Sequence, residues 1–334
     1  LAGRIGAQTT RNAMNTMKIA FGEQGGRFFS VLNVLQLLGW TAVMIASGAA
    51  AINALLGHAD ATAIPGCLLI GALIALWVIF GPLTFGKLNS AVVVLLAALC
   101  LYLSWRIAGA GLTEVPAFQA ISFGAAVELA VSMPLSWLPV ISDYTSQAKK
   151  TVLTNTVSNI AYFVGSCWMF TIGMGSAIIT GYSDLSMLMQ ALGLGVIGLG
   201  IIIMSTVTTT FLDARSAAIS FTTLTDRWNE RHVALAVTLL GTIIACLSPG
   251  SSYESFLYMI GSCFTPMVGI LLTEYYILGQ KDVSQSVSVV NFGVWLAGFI
   301  LYRLVLGFTP PCGITLPVVL IVSLLTWLVH KKWK

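Results

Sequence analysis

Ten apolar runs follow one another along the chain, at about residues 28–56, 64–82, 88–108, 119–141, 154–180, 187–212, 232–248, 254–278, 287–307 and 312–330. Each is long enough to cross a hydrocarbon layer of about 30 Å as an α-helix. In lipid every backbone N–H and C=O must be paired within its own structure, which favours helices for runs of this length. Composition agrees. The chain is 57% hydrophobic and 8% charged, where a soluble domain carries about 25% charged residues. A chain this apolar cannot cover itself with a polar surface. The expected fold class is an all-α polytopic membrane protein, a single transmembrane domain over residues 1–334 with the lipid bilayer as its surroundings.

The basic residues give an orientation. Arg4, Arg11, Lys18 and Arg27 precede the first run, and Lys87, Lys149, Lys150, Arg215, Arg227, Arg231, Lys281, Lys331, Lys332 and Lys334 fall after alternate ones. Only Arg106 and Arg303, both at run edges, fall on the opposite side. Excess Lys and Arg mark the cytoplasmic side, so both ends of this chain are expected there, in a plasma (inner) membrane. The link DARSAAISFTTLTDRWNER has helix-like spacing and is expected to lie along the membrane surface. The chain starts at Leu, and LAGRIGAQ resembles the tail of an apolar segment, so an N-terminal fragment is expected to precede it.

Several function classes are excluded. No GxGxxG, P-loop, HExxH or GxSxG motif occurs, and no nucleophile–base pair or metal cluster lies on a polar face, so no enzyme and no cofactor are expected. The six Cys lie in or beside apolar runs without a CxxC and read as small packing residues. His58, His232 and His330 are isolated and receive no role. The cations are spread among loops, so no nucleic-acid partner is expected.

Polar groups inside a bilayer must be satisfied or must line a path. Three runs carry organised polar faces. In NVLQLLGWTAVM, Asn33, Gln36, Trp40, Met44 and Ser47 share one side of a helix. They form either interhelical glue around a packing Trp or an aromatic plate for a planar ligand. In ISFGAAVELAVSMPLSWLPVISDY, Glu128, Ser132 and Ser136 follow at four-residue steps, and Pro134 and Pro139 interrupt the helix. Carbonyls near Ala130 and Leu135 are expected to lose their partners. A broken span is a pointer to a transporter binding site, with a simple kink as the alternative. Asp143, at its cytoplasmic end, is expected to pair with Lys149 or Lys150 or to meet a ligand.

The third face is STVTTTFLDARSA. Ser205, Thr209 and Asp213 share a side, Thr208 lies beside it, and Thr206 and Thr210 point elsewhere. Hydroxyls in membrane helices commonly bond their own i−4 carbonyl. Five within six residues also suit part of the shell of a hard cation.

QLLGW, PLSWLPVISDYTSQ, STVTTTFLDARSA and YESFLYMIGSCFTPMVGILLTEYYIL resemble the nucleobase:cation symporter family, which contains cytosine and hydantoin permeases. Within it the chain is most similar to the hydroxymethylpyrimidine permease branch. The resemblance implies a leucine-transporter-like inverted-repeat fold of twelve spans, of which about ten are present and the N-terminal ones are missing. Residues 28–108 would be spans three to five of the first repeat, 119–278 the second repeat and 287–330 two terminal spans. It implies a cation-coupled importer of a pyrimidine such as hydroxymethylpyrimidine or cytosine. Trp40 matches the family's stacking Trp, and Gln36, Ser132, Ser136, Trp137 and Thr210 fall at the substrate. Thr208 and Thr209, with Ser205 nearby, match the ligands of a sodium half-site. Met44 stands where some relatives carry Gln, Thr210 where many carry Asn, and Arg215 where Tyr is expected. Sodium is the expected coupling ion. The alternatives are a proton handled by Glu128, a carboxyl with no evident partner in the sequence, or a non-transporting remnant of the fold.

Overall fold

The computed structural model describes residues 1–56, 63–109, 121–181, 189, 193–225, 227–247, 253–283, 285–308 and 310–332. His58 and the segments 57–62, 182–188 and 248–252 lie outside the described residues. The elements, all helical, are α1 (Ala2–Thr9), α2 (Ala13–Leu55), α3 (Ile64–Gly109), α4 (Phe123–Trp137), α5 (Ile141–Thr145), α6 (Thr151–Thr180), α7 (Gly195–Thr222), α8 (Glu230–Leu247), α9 (Tyr253–Leu272), a π-helical turn (Thr273–Ile277), α10 (Val289–Val305) and α11 (Thr315–Lys332). Seven helices among the described residues are long and apolar enough to cross a membrane, and three shorter apolar helices join them. Leu296, Ile300 and Leu304 on α10 and Leu320, Leu324 and Leu328 on α11 are exposed in one-turn steps. Such contiguous apolar stripes suit a lipid-facing surface and not water.

Glycine breaks two of the long helices. At Gly22 the backbone turns to φ 79°, ψ 178°, which a residue with a Cβ rarely adopts. An added Cβ would also meet the Gln285 and Ser286 carbonyl oxygens at 2.7 Å. The backbone groups released by this break are taken up locally. Glu23 and Gln24 N–H donate to the Gln285 and Ser286 carbonyls, and Ser288 N–H donates to the Phe21 carbonyl. Asn291 Nδ2 donates to the Ala20 carbonyl at 2.6 Å. The arm 13–21 is thereby bent away from the long arm 23–55. Gly81 (φ 76°) divides α3 in the same way, near the end of the run 64–82.

The long arm of α2 packs along α7. Leu37, Ile45 and Ala49 form one core with Phe211, Ala214, Ala217 and Ala218. Small residues let the helix backbones approach closely, which is the main device for packing helices in lipid. This corrects the expectation for the link after residue 212. α7 continues without interruption through Asp213 to Thr222, and Ala214, Ala217 and Ala218 are fully buried. An alanine-rich face directs the segment into the body and away from the membrane surface.

The break between α4 and α5 falls at Pro139, while Pro134 stays inside α4. The Leu135 carbonyl, expected to be orphaned, accepts the Leu138 N–H in a tightened turn, and the Trp137 carbonyl accepts the Val140 N–H. The Ser136 and Pro139 carbonyls are met by side chains of α2, as described next.

Candidate functional site

α2, the α4–α5 break and α7 meet around one small cavity. Gln36 Nε2 donates to the Ser136 carbonyl at 2.9 Å and to Asn33 Oδ1 at 3.0 Å. Asn33 Nδ2 donates to the Pro139 carbonyl at 3.3 Å and to Ser220 Oγ at 2.7 Å. The two amides thus supply donors that the broken helix lacks and tie it to α7. A buried carbonyl without such a donor would cost about 1–3 kcal/mol. The Gln36 Oε1 atom and the Trp40 Nε1 atom are buried with no hydrogen-bond partner among the described residues.

One turn beyond Gln36, Trp40 forms a wall of the cavity with Met44 and Leu37. Tyr253 and Phe256 of α9 brace its ring edge-on, at centroid distances of 5.8 and 5.5 Å. Gly39 makes room for this, since a Cβ there would strike the Phe256 ring. The opposite parts of the lining are Met133, Ser136, Trp137, Val140 and Tyr144 from the broken segment, and Thr209, Asp213 and Ser216 from α7. The volume is about 80 Å³, well below the roughly 300–1,000 Å³ of drug-sized pockets. A single flat ring is the scale of ligand it suits. A larger open basin of about 880 Å³ lies by Arg4, Arg11, Tyr275, Tyr276 and Lys281. It is open to its surroundings and contains none of the residues on the three polar faces.

On α7, Thr208 Oγ1 and Thr209 Oγ1 both donate to the Ser205 carbonyl at 2.9 Å. This is the back-bonding expected of membrane hydroxyls. It also gathers three oxygens on one side of the helix. Thr209 alone of the three also lines the cavity.

The structure therefore brings together Trp40, Ser136, Trp137 and Thr209, with Gln36 immediately behind. It does not bring in Ser132 and Thr210, which were expected there, and it gives Glu128 another role. Ser132 is fully buried and donates to the Glu128 carbonyl at 2.8 Å. Thr210 is fully buried and donates to the Thr206 carbonyl at 2.7 Å, away from the cavity lining. Glu128 is not unpartnered. The Tyr302 and Thr315 hydroxyls donate to Oε1, and the Ile314 and Thr315 N–H groups donate to Oε2 at 2.6 and 2.8 Å. It caps the start of α11, where backbone donors lack intrahelical partners and the helix end favours negative charge. No spacing rule links residue 128 to residues 302 and 314–315, so this pairing was invisible in the sequence.

Two further expectations are corrected. Asp143 pairs with neither Lys149 nor Lys150; its Oδ1 accepts the Ala13 N–H at 2.8 Å and caps the short arm of α2. Burial, opposed by that hydrogen bond, pushes its carboxyl up to about 7. His330, given no role, has Nε2 at 3.1 Å from Glu274 Oε1 on the π-helical turn, and Asn291 Nδ2 donates to the same oxygen at 2.7 Å. The lining residues missed in the sequence are Leu37, Val140, Tyr144 and Ser216; the bracing pair Tyr253 and Phe256 was missed as well. Only Gly39 before Trp40 signalled that a bulky neighbour lies close.

Comparison with known proteins adds to this geometry. Residues 1–295 match a family described as permeases for cytosine/purines, uracil, thiamine and allantoin. Cytosine permease of Escherichia coli (strain K12) is 24% identical over 328 residues, covering 91% of this chain and 76% of that protein. The cytosine permeases of two further Escherichia coli strains give the same figures. Among solved structures, the inward-facing conformation of Mhp1 superposes with a TM-score of 0.79 at 15% identity, covering 98% of this chain and 81% of that one. Mhp1, a nucleobase-cation-symport-1 family transporter, in a closed conformation with bromovinylhydantoin bound, superposes with a TM-score of 0.72 at 15% identity, covering 97% and 80%. At these identities the likeness establishes the fold.

Proposed function

Because the chain belongs to the family of permeases for cytosine/purines, uracil, thiamine and allantoin, we propose that this integral membrane protein imports a pyrimidine, such as hydroxymethylpyrimidine or cytosine, with sodium as the coupling ion. The observation that carries the reading is the cavity itself, a ring-sized space between Trp40 and a broken helix, with Thr209 in its lining. Trp40, held edge-on by Tyr253 and Phe256, stacks on the heterocycle. Ser136 and Trp137 shape the facing wall. Gln36 holds the break in place and, among the described residues, keeps Oε1 as a free acceptor.

Sodium would cross the membrane together with the pyrimidine. Its shell would draw on Thr208 Oγ1, Thr209 Oγ1 and the Ser205 carbonyl, the three oxygens that α7 clusters. Since Thr209 faces both this cluster and the ligand space, each ligand stabilises the arrangement of α7 against the broken segment that the other needs. Coupling of this kind is a shared preference for one conformation. Residues 28–108 and 119–278 would form the parts of two inverted repeats that rock against one another, with 287–330 outside them. Both ends of the chain would face the cytoplasm.

Glu128 takes no part in the coupling in this reading, because its acceptor capacity is already filled by four donors. The test is uptake of labelled cytosine and hydroxymethylpyrimidine by cells expressing the protein, with sodium replaced by choline. Uptake is expected to fall with sodium removed. In the double variant Thr208→Val, Thr209→Val, the sodium concentration for half-maximal uptake is expected to rise by about ten-fold or more. Uptake that ignores sodium and collapses only with the proton gradient would overturn the choice of ion.

A further inference from the structure

Asp213 is a carboxylate in the cavity lining for which the described residues provide no partner. It lies one turn beyond Thr209 on α7 and shares the cavity with Trp40 and Trp137. Among the described residues its side chain makes no hydrogen bond and no ion pair. The charged and titratable groups nearby are engaged elsewhere or have the same sign. Arg215 Nε is held by Glu230 Oε1 at 3.0 Å. Asp143 Oδ1 holds the Ala13 N–H. The Tyr144 hydroxyl pairs with Ser216 Oγ at 3.1 Å. The lining that α2 and α4 contribute (Leu37, Trp40, Met44, Met133, Ser136 and Trp137) contains no titratable group. A carboxylate inside a membrane protein is retained at a cost and normally finds a partner. Here the carboxylate lines the ligand space.

Resting on the pyrimidine reading above, we propose that Asp213 is the residue that selects an amino-substituted pyrimidine over a dioxo one. A carboxylate presents two acceptor oxygens side by side. The matching edge is an exocyclic amino group next to a basic ring nitrogen. The amino N–H donates to one oxygen. The ring nitrogen and the second oxygen share one proton, taken from water as the ligand binds, so that charge and protons balance. The resulting pair is two-pronged and charge-assisted. A dioxo ring offers one N–H flanked by carbonyls. Those oxygens are too weakly basic to hold the shared proton, and one of them sets its lone pairs against the second carboxylate oxygen. A site built to bond one edge discriminates strongly against an edge that leaves its polar atoms unmatched.

Titration calorimetry on the purified full chain, with cytosine and uracil in buffers of different ionisation enthalpy, tests this. The parent is expected to bind cytosine at least about ten-fold more tightly than uracil, with net uptake of a proton. Asp213→Ala should lose about ten-fold or more in cytosine affinity and most of the preference. Asp213→Asn presents one acceptor and one donor, which pair with the amino group and the ring nitrogen without an added proton. It should bind cytosine within a few-fold of the parent and without proton uptake. Uracil bound as tightly as cytosine by the parent would overturn the inference and leave pyrimidine transport standing. So would an unchanged Asp213→Ala, or an Asp213→Asn variant that still takes up a proton. A parent that binds neither ring overturns the transport reading, and this inference with it.

Discussion

Glu128 and Asp213 are both carboxylates carried by helices of the transmembrane body, and their surroundings differ completely. Glu128 accepts four hydrogen bonds, two from hydroxyls and two from the first N–H groups of α11. Gly261 even leaves space for the Tyr302 ring that reaches it. Asp213 accepts none among the described residues and faces a cavity beside two Trp side chains. Buried polar groups are normally satisfied by the protein, so a fully bonded one is a fastener and an unbonded one beside a space points to a ligand. The same contrast holds for the α2 face. Asn33 spends its amide donors on the Pro139 carbonyl and Ser220, whereas the Trp40 Nε1 and Gln36 Oε1 atoms remain unpaired among the described residues.

The largest effect expected from this contrast is on Glu128→Ala. Removing the acceptor strands four buried donors and should destabilise the protein by about 3 kcal/mol or more. Thermal unfolding in detergent would show it, with cytosine affinity per folded molecule close to the parent's. Loss of affinity at unchanged stability would instead move Glu128 into the transport machinery and break the comparison. Next comes Trp40→Ala. Loss of the stacking face should weaken pyrimidine binding by about 1–3 kcal/mol, roughly 5- to 150-fold. Calorimetry on folded material checks this, and an unchanged affinity would make Trp40 a packing residue.

A third test concerns Asp143, which stands between the two extremes: Oδ1 bonded to the Ala13 N–H, Oδ2 buried and unpaired among the described residues. Its carboxyl is raised from 3.8 to about 7, so between those values the folded protein holds a proton that the unfolded chain releases. The contribution is complete below about pH 4 and is lost as the pH rises towards 7. Melting temperatures should decline across that window. Asp143→Asn should flatten the decline; an equally steep decline in that variant would assign it to another group.

Particular residues show how far local pattern reaches. The runs at 64–82 and 88–108 correspond to the two arms of α3 because apolar length and a glycine near the end of the first are both written in adjacent residues. Pro139 breaks its helix at the place its missing N–H requires, whereas Pro134 was accommodated inside α4. The spacing that placed Gln36, Trp40 and Met44 on one face, and Thr209 and Asp213 on another, was legible because helical periodicity is a local property. Ser132 and Thr210 fall on equally suggestive spacings and turn to their own i−4 carbonyls outside the cavity. Periodicity assigns a side of a helix and leaves open what that side meets.

The sequence by itself determined that this chain is a bundle of membrane helices, where one of them breaks, and which polar residues its helices carry inward. Apolar length, proline chemistry and helical period depend only on near neighbours along the chain. The tertiary structure alone decided which of those polar groups are satisfied. The donors that fill Glu128 come from residues 302, 314 and 315, and the amides that complete the broken helix come from residues 33 and 36. Among the described residues no comparable partner reaches Asp213. A hydrogen bond depends on two groups meeting within about 3 Å, and across such sequence separations only packing brings them there.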